Sequence, residues 1–129
     1  MRSIDTNALL RLLVDEPGNK KQCETIRNLI ATDESLYVAQ VVQIELVWVL
    51  QKAYRFSKEQ IVFTLAMLGN NRAFELQRYN SYMRALAYYR EYNIGFSDCI
   101  ILSESVAETA TPLITFDKKL GKLENTLLI

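Results

Sequence analysis

Histidine is absent from this 129-residue chain. That excludes Ser-His-Asp and Cys-His nucleophilic machinery and the usual histidine-containing zinc sites. Cysteine is scarce. Cys23 and Cys99 stand alone with no CxxC spacing, and two buried free thiols are the expectation. The four glycines form neither a GxGxxG fingerprint nor a phosphate-binding P-loop. Net charge is also missing, with 15 basic residues against 15 acidic ones, which argues against a chain built to coat nucleic acid. Every long apolar stretch is broken by Gln, Glu, Arg or Lys, so no membrane span is expected. The N-terminus does not read as a signal peptide, and a cytoplasmic location is the default. Chemistry in such a chain rests on carboxylates, hydroxyls, amides and basic side chains.

What is present reads as one α/β domain over residues 1–129, half of whose residues are hydrophobic. Strands are predicted at Arg2–Ile4, Leu36–Ala39, Ala73–Leu76, Pro112–Phe116 and Thr126–Ile129. Helices are predicted at Asn7–Val14, Lys20–Thr32, Val41–Tyr54, from Ser57 to the Gly69-Asn70-Asn71 stop, at Tyr79–Tyr92 and at Ser97–Thr109. Ser57-Lys-Glu-Gln60 fits a capping box, and Glu16-Pro17-Gly18-Asn19 reads as a turn. Strands that alternate with helices imply a three-layer α/β/α fold, with a mostly parallel sheet of about five strands covered on both faces.

Four acids are out of pattern. Glu45 lies in VVQIELVWVL with Val41, Val42, Trp48 and Val49 at helical neighbour spacing. A carboxylate in an apolar stripe is costly unless paired, so Glu45 either turns to solvent, pairs with an arginine or enters a functional pocket. Asp5 and Asp117 each follow a predicted strand, and Asp98 opens a helix. Each alone reads as a cap or first-turn acid. Together they admit another reading, because parallel strands end at one edge, where α/β sheets place their chemistry. Converging carboxylates repel one another unless divalent cations are held between them. An all-oxygen set without His or Cys selects hard ions, Mg²⁺ or Mn²⁺. The chemistry that follows is metal-assisted phosphodiester hydrolysis.

These segments resemble the PIN-domain nucleases, specifically the VapC-like ribonuclease toxins of bacterial and archaeal toxin–antitoxin pairs. DTNALL, IELVWVLQKAY, FSDCIIL and LITFDKKL occur in the family's order and approximate spacing over nearly the whole chain. The resemblance implies that Asp5, Glu45, Asp98 and Asp117 form a Mg²⁺ or Mn²⁺ site, with Asn7 and Thr115 orienting the acids. It implies an RNA substrate, tRNA or ribosomal RNA, a cognate antitoxin and a toxin homodimer. Ser97 and Cys99 replace the alanines frequent in relatives, and Lys118 and Lys119 stand where some relatives carry a further acid. Arg11, Lys118, Lys119 and Lys122 follow acid-bearing strands and are candidates for phosphate contact. Phe116 and the tyrosines are candidates for base stacking, although most of the tyrosines are expected in the core or a dimer contact.

Other classes fit less well. A haloacid-dehalogenase-like phosphatase needs a second acid where Asn7 stands. A receiver-type signalling module needs an acidic pair, which Asp5-Thr6 does not provide. A non-catalytic PIN fold would have no need of all four acids.

Overall fold

The computed structural model describes residues 1–32 and 35–129. In chain order the elements are β1 (Arg2–Ser3), α1 (Thr6–Leu13), a 3₁₀ turn (Pro17–Asn19), α2 (Lys20–Thr32), β2 (Leu36–Val38), α3 (Gln40–Lys52), α4 (Lys58–Asn70), β3 (Phe74–Leu76), α5 (Tyr79–Glu91), α6 (Phe96–Ala107), β4 (Leu113–Thr115), a second 3₁₀ turn (Leu120–Lys122) and β5 (Thr126–Leu128). All of the predicted elements are present, with ends shifted by one or two residues. The chain divides into two compact units, Met1–Gln77 and Arg78–Ile129.

In the first unit β1, β2 and β3 form a parallel sheet in that order, with Arg2 opposite Leu36 and Leu36 opposite Phe74. Parallel register sends the chain out of each strand at the same edge. Asp5 follows β1 there, and α3 begins just beyond β2. Ser57 caps α4 through a complete capping box: its hydroxyl accepts from Gln60 N at 3.1 Å, while Gln60 Oε1 accepts from Ser57 N at 2.8 Å.

The phase of α3 decides which face Glu45 takes. Its buried stripe is Val42, Gln43, Leu46, Val47 and Leu50. Gln43 faces inward because it has carbonyls to bind. Its Nε2 donates to Val38 O at 3.3 Å and Gln77 O at 2.9 Å, tying α3 to the ends of β2 and β3. Gln40 N donates to Gln77 Oε1 at 2.8 Å at the same edge. Two residues along a helix is about 200°, so a buried Gln43 turns Glu45 outward. Val41 and Trp48, 62% and 61% exposed, lie on that outward side. Of the four apolar neighbours of Glu45, Val41 and Trp48 therefore share its solvent-facing side, while Val42 turns into the core.

Helix α2 spans its predicted range, yet none of its residues is fully buried. Cys23, Ile26 and Ile30 are half-buried and Leu29 is exposed. Of the two free thiols only Cys99 is buried; Cys23 is half-buried.

In the second unit α5 packs on α6. The Phe96 ring meets Tyr89 edge-on at 5.7 Å and Tyr82 at 6.4 Å. Ser103 Oγ donates to Ser81 O at 2.8 Å, and Arg84 donates to Ser103 O at 3.2 Å. Tyr82 and Tyr89 are buried, while Tyr79 and Tyr92 are exposed, so the tyrosines divide between core and surface. Arg78, in the left-handed region at φ 56°, makes a two-pronged bond to Glu104 (2.6 and 3.1 Å) and reaches Glu108 at 3.0 Å. Strands β4 and β5 pair in parallel with Leu113 opposite Thr126.

Candidate active site

Asp5 is the N-cap of α1. Its backbone is extended, and its Oδ1 accepts from Ala8 N at 2.9 Å. The cap occupies one oxygen of a carboxylate on an exposed residue. Thr6, the first residue of α1, donates its hydroxyl to Glu45 Oε1 at 3.1 Å. Glu45 thus has a neutral hydroxyl as its partner instead of an arginine. Asn7 is exposed and bonds neither Asp5 nor Glu45. It lines a groove of about 350 Å³ with Ala8, Arg11, Gln22, Thr25 and Ile26. Arg11 is also turned to this side of the unit, donating to Gln22 Oε1 at 2.7 Å.

In the second unit Asp98 occupies the first turn of α6, where the helix dipole favours an acid. Partial burial nevertheless raises its pKa, and the charge of Asp117 raises it further. Asp117 closes the turn after β4: its Oδ1 accepts from Lys119 N at 2.8 Å and Leu120 N at 3.0 Å. Thr115 Oγ1 accepts from Asp117 N at 3.0 Å, so Thr115 anchors the backbone of the acid. Lys118, Lys119 and Lys122 are exposed, and Phe116 is 80% exposed.

Among the described residues of its own unit, none of these four acids is ion-paired with a lysine or arginine. Nor do three Asp, Glu or Cys side chains gather into a metal-sized group among the described residues of either unit. The side-chain chemistry of the four acids, carboxylate oxygens alone and with no ion-paired Lys or Arg within their own units among the described residues, is of the kind a hard divalent cation takes. The sequence reading gives Thr6 no role, and its bond to Glu45 emerges only from the structure. The available signal was its place between Asp5 and Asn7, in a segment whose hydroxyl had no assigned role.

The chain belongs to the PIN domain family, whose model matches residues 3–125 and so spans both units. It has the PIN-type α/β fold with parallel strands that the sequence led us to expect. It is 26% identical over 127 residues to a protein named VapC ribonuclease from Aquifex aeolicus (strain VF5), covering 95% of this chain and 92% of that one. Among the described residues no helix is long and apolar enough to cross a membrane.

Proposed function

We propose that this protein is a metal-dependent endoribonuclease and the toxin of a toxin–antitoxin pair. Residues 1–129 make one PIN domain, and Asp5, Glu45, Asp98 and Asp117 hold Mg²⁺ or Mn²⁺. The observation that carries this reading is the PIN family match over residues 3–125, and the Asp98–Asp117 pair in the second unit agrees with it. Asp98 carries a raised pKa from burial and from Asp117, and neither acid has a basic partner there. The name of the Aquifex relative supports the substrate class.

When bound, the ion supplies positive charge that polarises a phosphodiester and lowers the pKa of an attacking water. The protein's own groups supply orientation. The Asp5 and Asp117 carboxylates are held through Oδ1 by backbone N–H groups, and Thr115 anchors Asp117. Lys118, Lys119 and Lys122 follow Asp117 closely in the chain and contact RNA phosphates, with Phe116 offering a base-stacking face. Arg11 is engaged with Gln22, and contributes to RNA binding only if it gives up that bond. Asn7, which bonds neither Asp5 nor Glu45, takes up an acid-orienting role only with the ion in place.

The substrate is tRNA or ribosomal RNA, the protein acts in the cytoplasm as a homodimer, and an antitoxin blocks the site. Exposed Trp48, Phe63 and Met67 offer apolar area for protein contacts. Cleavage of labelled RNA by antitoxin-free protein tests the reading. Cleavage should need Mg²⁺ or Mn²⁺ and stop in EDTA. Persistence in EDTA would overturn the mechanism.

A further inference from the structure

We propose that Thr6 is a positioning residue for Glu45, its hydroxyl holding the carboxylate beside the turn that carries Asp5. This rests on the metal-dependent reading above and adds to it a residue with no assigned role.

Glu45 needs an anchor. It is exposed, its exposed helix neighbours Val41 and Trp48 are apolar, and no lysine or arginine of its unit pairs with it. A free glutamate side chain samples many rotamers, and ordering it has an entropic cost. The hydroxyl of Thr6, 3.1 Å from Oε1, is the contact that restricts it. Thr6 is a rigid donor. Its β-branched side chain has few χ1 states. Its backbone follows the N-cap, which the Asp5–Ala8 bond fixes at 2.9 Å. A fixed hydroxyl on α1 therefore sets a flexible carboxylate on α3, and the hydroxyl's chain neighbour is Asp5.

Three of the acids share one pattern. Asp5, Glu45 and Asp117 each have one carboxylate oxygen held by a donor of this chain, leaving the second oxygen to a ligand. In Asp5 and Asp117 the donors are backbone N–H groups. In Glu45, projecting from mid-helix where no N–H is free, a side-chain donor has to do this, and Thr6 is that donor. A surface bond without this role would tolerate loss of the hydroxyl.

The test compares Thr6→Val, which keeps the shape and deletes the donor, with Thr6→Ser, which keeps the donor. Thr6→Ala covers a folding failure of the valine variant. The readouts are Mn²⁺ affinity by calorimetric titration, kcat and KM on a labelled RNA, and melting in EDTA. Removing a partner that orients a metal ligand typically costs about 10- to 100-fold in affinity or activity. Thr6→Val and Thr6→Ala should lose that much in Mn²⁺ affinity and kcat while KM stays within about twofold. Thr6→Ser should restore both, and melting in EDTA should be unchanged. Combined with Glu45→Gln, Thr6→Val should add nothing.

Parent-like Mn²⁺ affinity in Thr6→Val would overturn the proposal. So would failure of serine to rescue, or losses that multiply with Glu45→Gln. In those cases an active, Mn²⁺-binding parent would leave the nuclease reading standing. A parent that neither binds Mn²⁺ nor cleaves RNA would end both.

Discussion

Asp98 lies partly buried, and the carboxylate of Asp117 adds its negative charge, so both push the Asp98 pKa above its ordinary value. A carboxyl whose folded pKa is raised favours folding below its unfolded pKa, and that contribution is lost as pH rises through the folded pKa. At neutral pH without metal, ionised Asp98 is therefore a net cost. Asp98→Asn should melt higher than the parent at pH 7 in EDTA. The gap should close as the pH falls to where Asp98 is protonated. Melting curves across this range check it, and a pH-independent gap would mean that packing is responsible.

Asp5 has two roles that separate by substitution. Asp5→Ala loses the bond to Ala8 N and should cost about 0.5–2 kcal/mol of stability by denaturant unfolding. Asp5→Asn keeps an N-cap oxygen and should be nearly neutral in stability. It should still lose RNA cleavage by orders of magnitude, because an amide is a poor ligand for a hard ion. Full activity in Asp5→Asn would reduce Asp5 to a cap.

Ser57 supplies the contrasting case. Ser57→Ala removes half of the capping box on α4 and should cost about 1 kcal/mol. Cleavage measured below the melting transition should be unchanged. A large loss of activity would tie α4 to the site in a way nothing in the present account requires.

How much could be read beforehand follows from where the information lies. The Ser57–Gln60 box and the Asp5 cap are local, set by residues three apart, and both occur as the sequence implies. For Glu45 the sequence leaves solvent, an arginine partner and a pocket all open. Helix phase was inferred from apolar neighbours alone, whereas a buried glutamine binding the carbonyls of Val38 and Gln77 sets it. Its partners lie five and 34 residues away, beyond any periodicity. Thr6 was passed over for the same reason, since its acceptor is 39 residues along the chain. The strands have only two or three residues each, too short for their pairing into a set of three and a set of two to show in a pattern.

The exposed lysines after Asp117 should appear in the salt dependence of RNA binding. Each phosphate contact removed should lower the slope of log K against log salt by about 0.7 for single-stranded RNA. Lys118→Ala, Lys119→Ala and Lys122→Ala, measured by fluorescence anisotropy in EDTA, should each flatten the slope by up to that amount. A slope unchanged in all three would place the RNA path elsewhere.

The proposed function turns on Glu45 and Asp98 each contributing to the binding of Mg²⁺ or Mn²⁺. Thermal melting with EDTA and with Mn²⁺ tests it most directly, on the parent, Asp98→Asn and Glu45→Gln. A ligand that binds only the folded state stabilises it by mass action, by about 2.7 kcal/mol at a hundredfold excess over Kd. The account predicts a clear Mn²⁺-dependent rise in melting temperature for the parent and a much smaller one for each variant, one from each unit. Equal rises in all three proteins would contradict it.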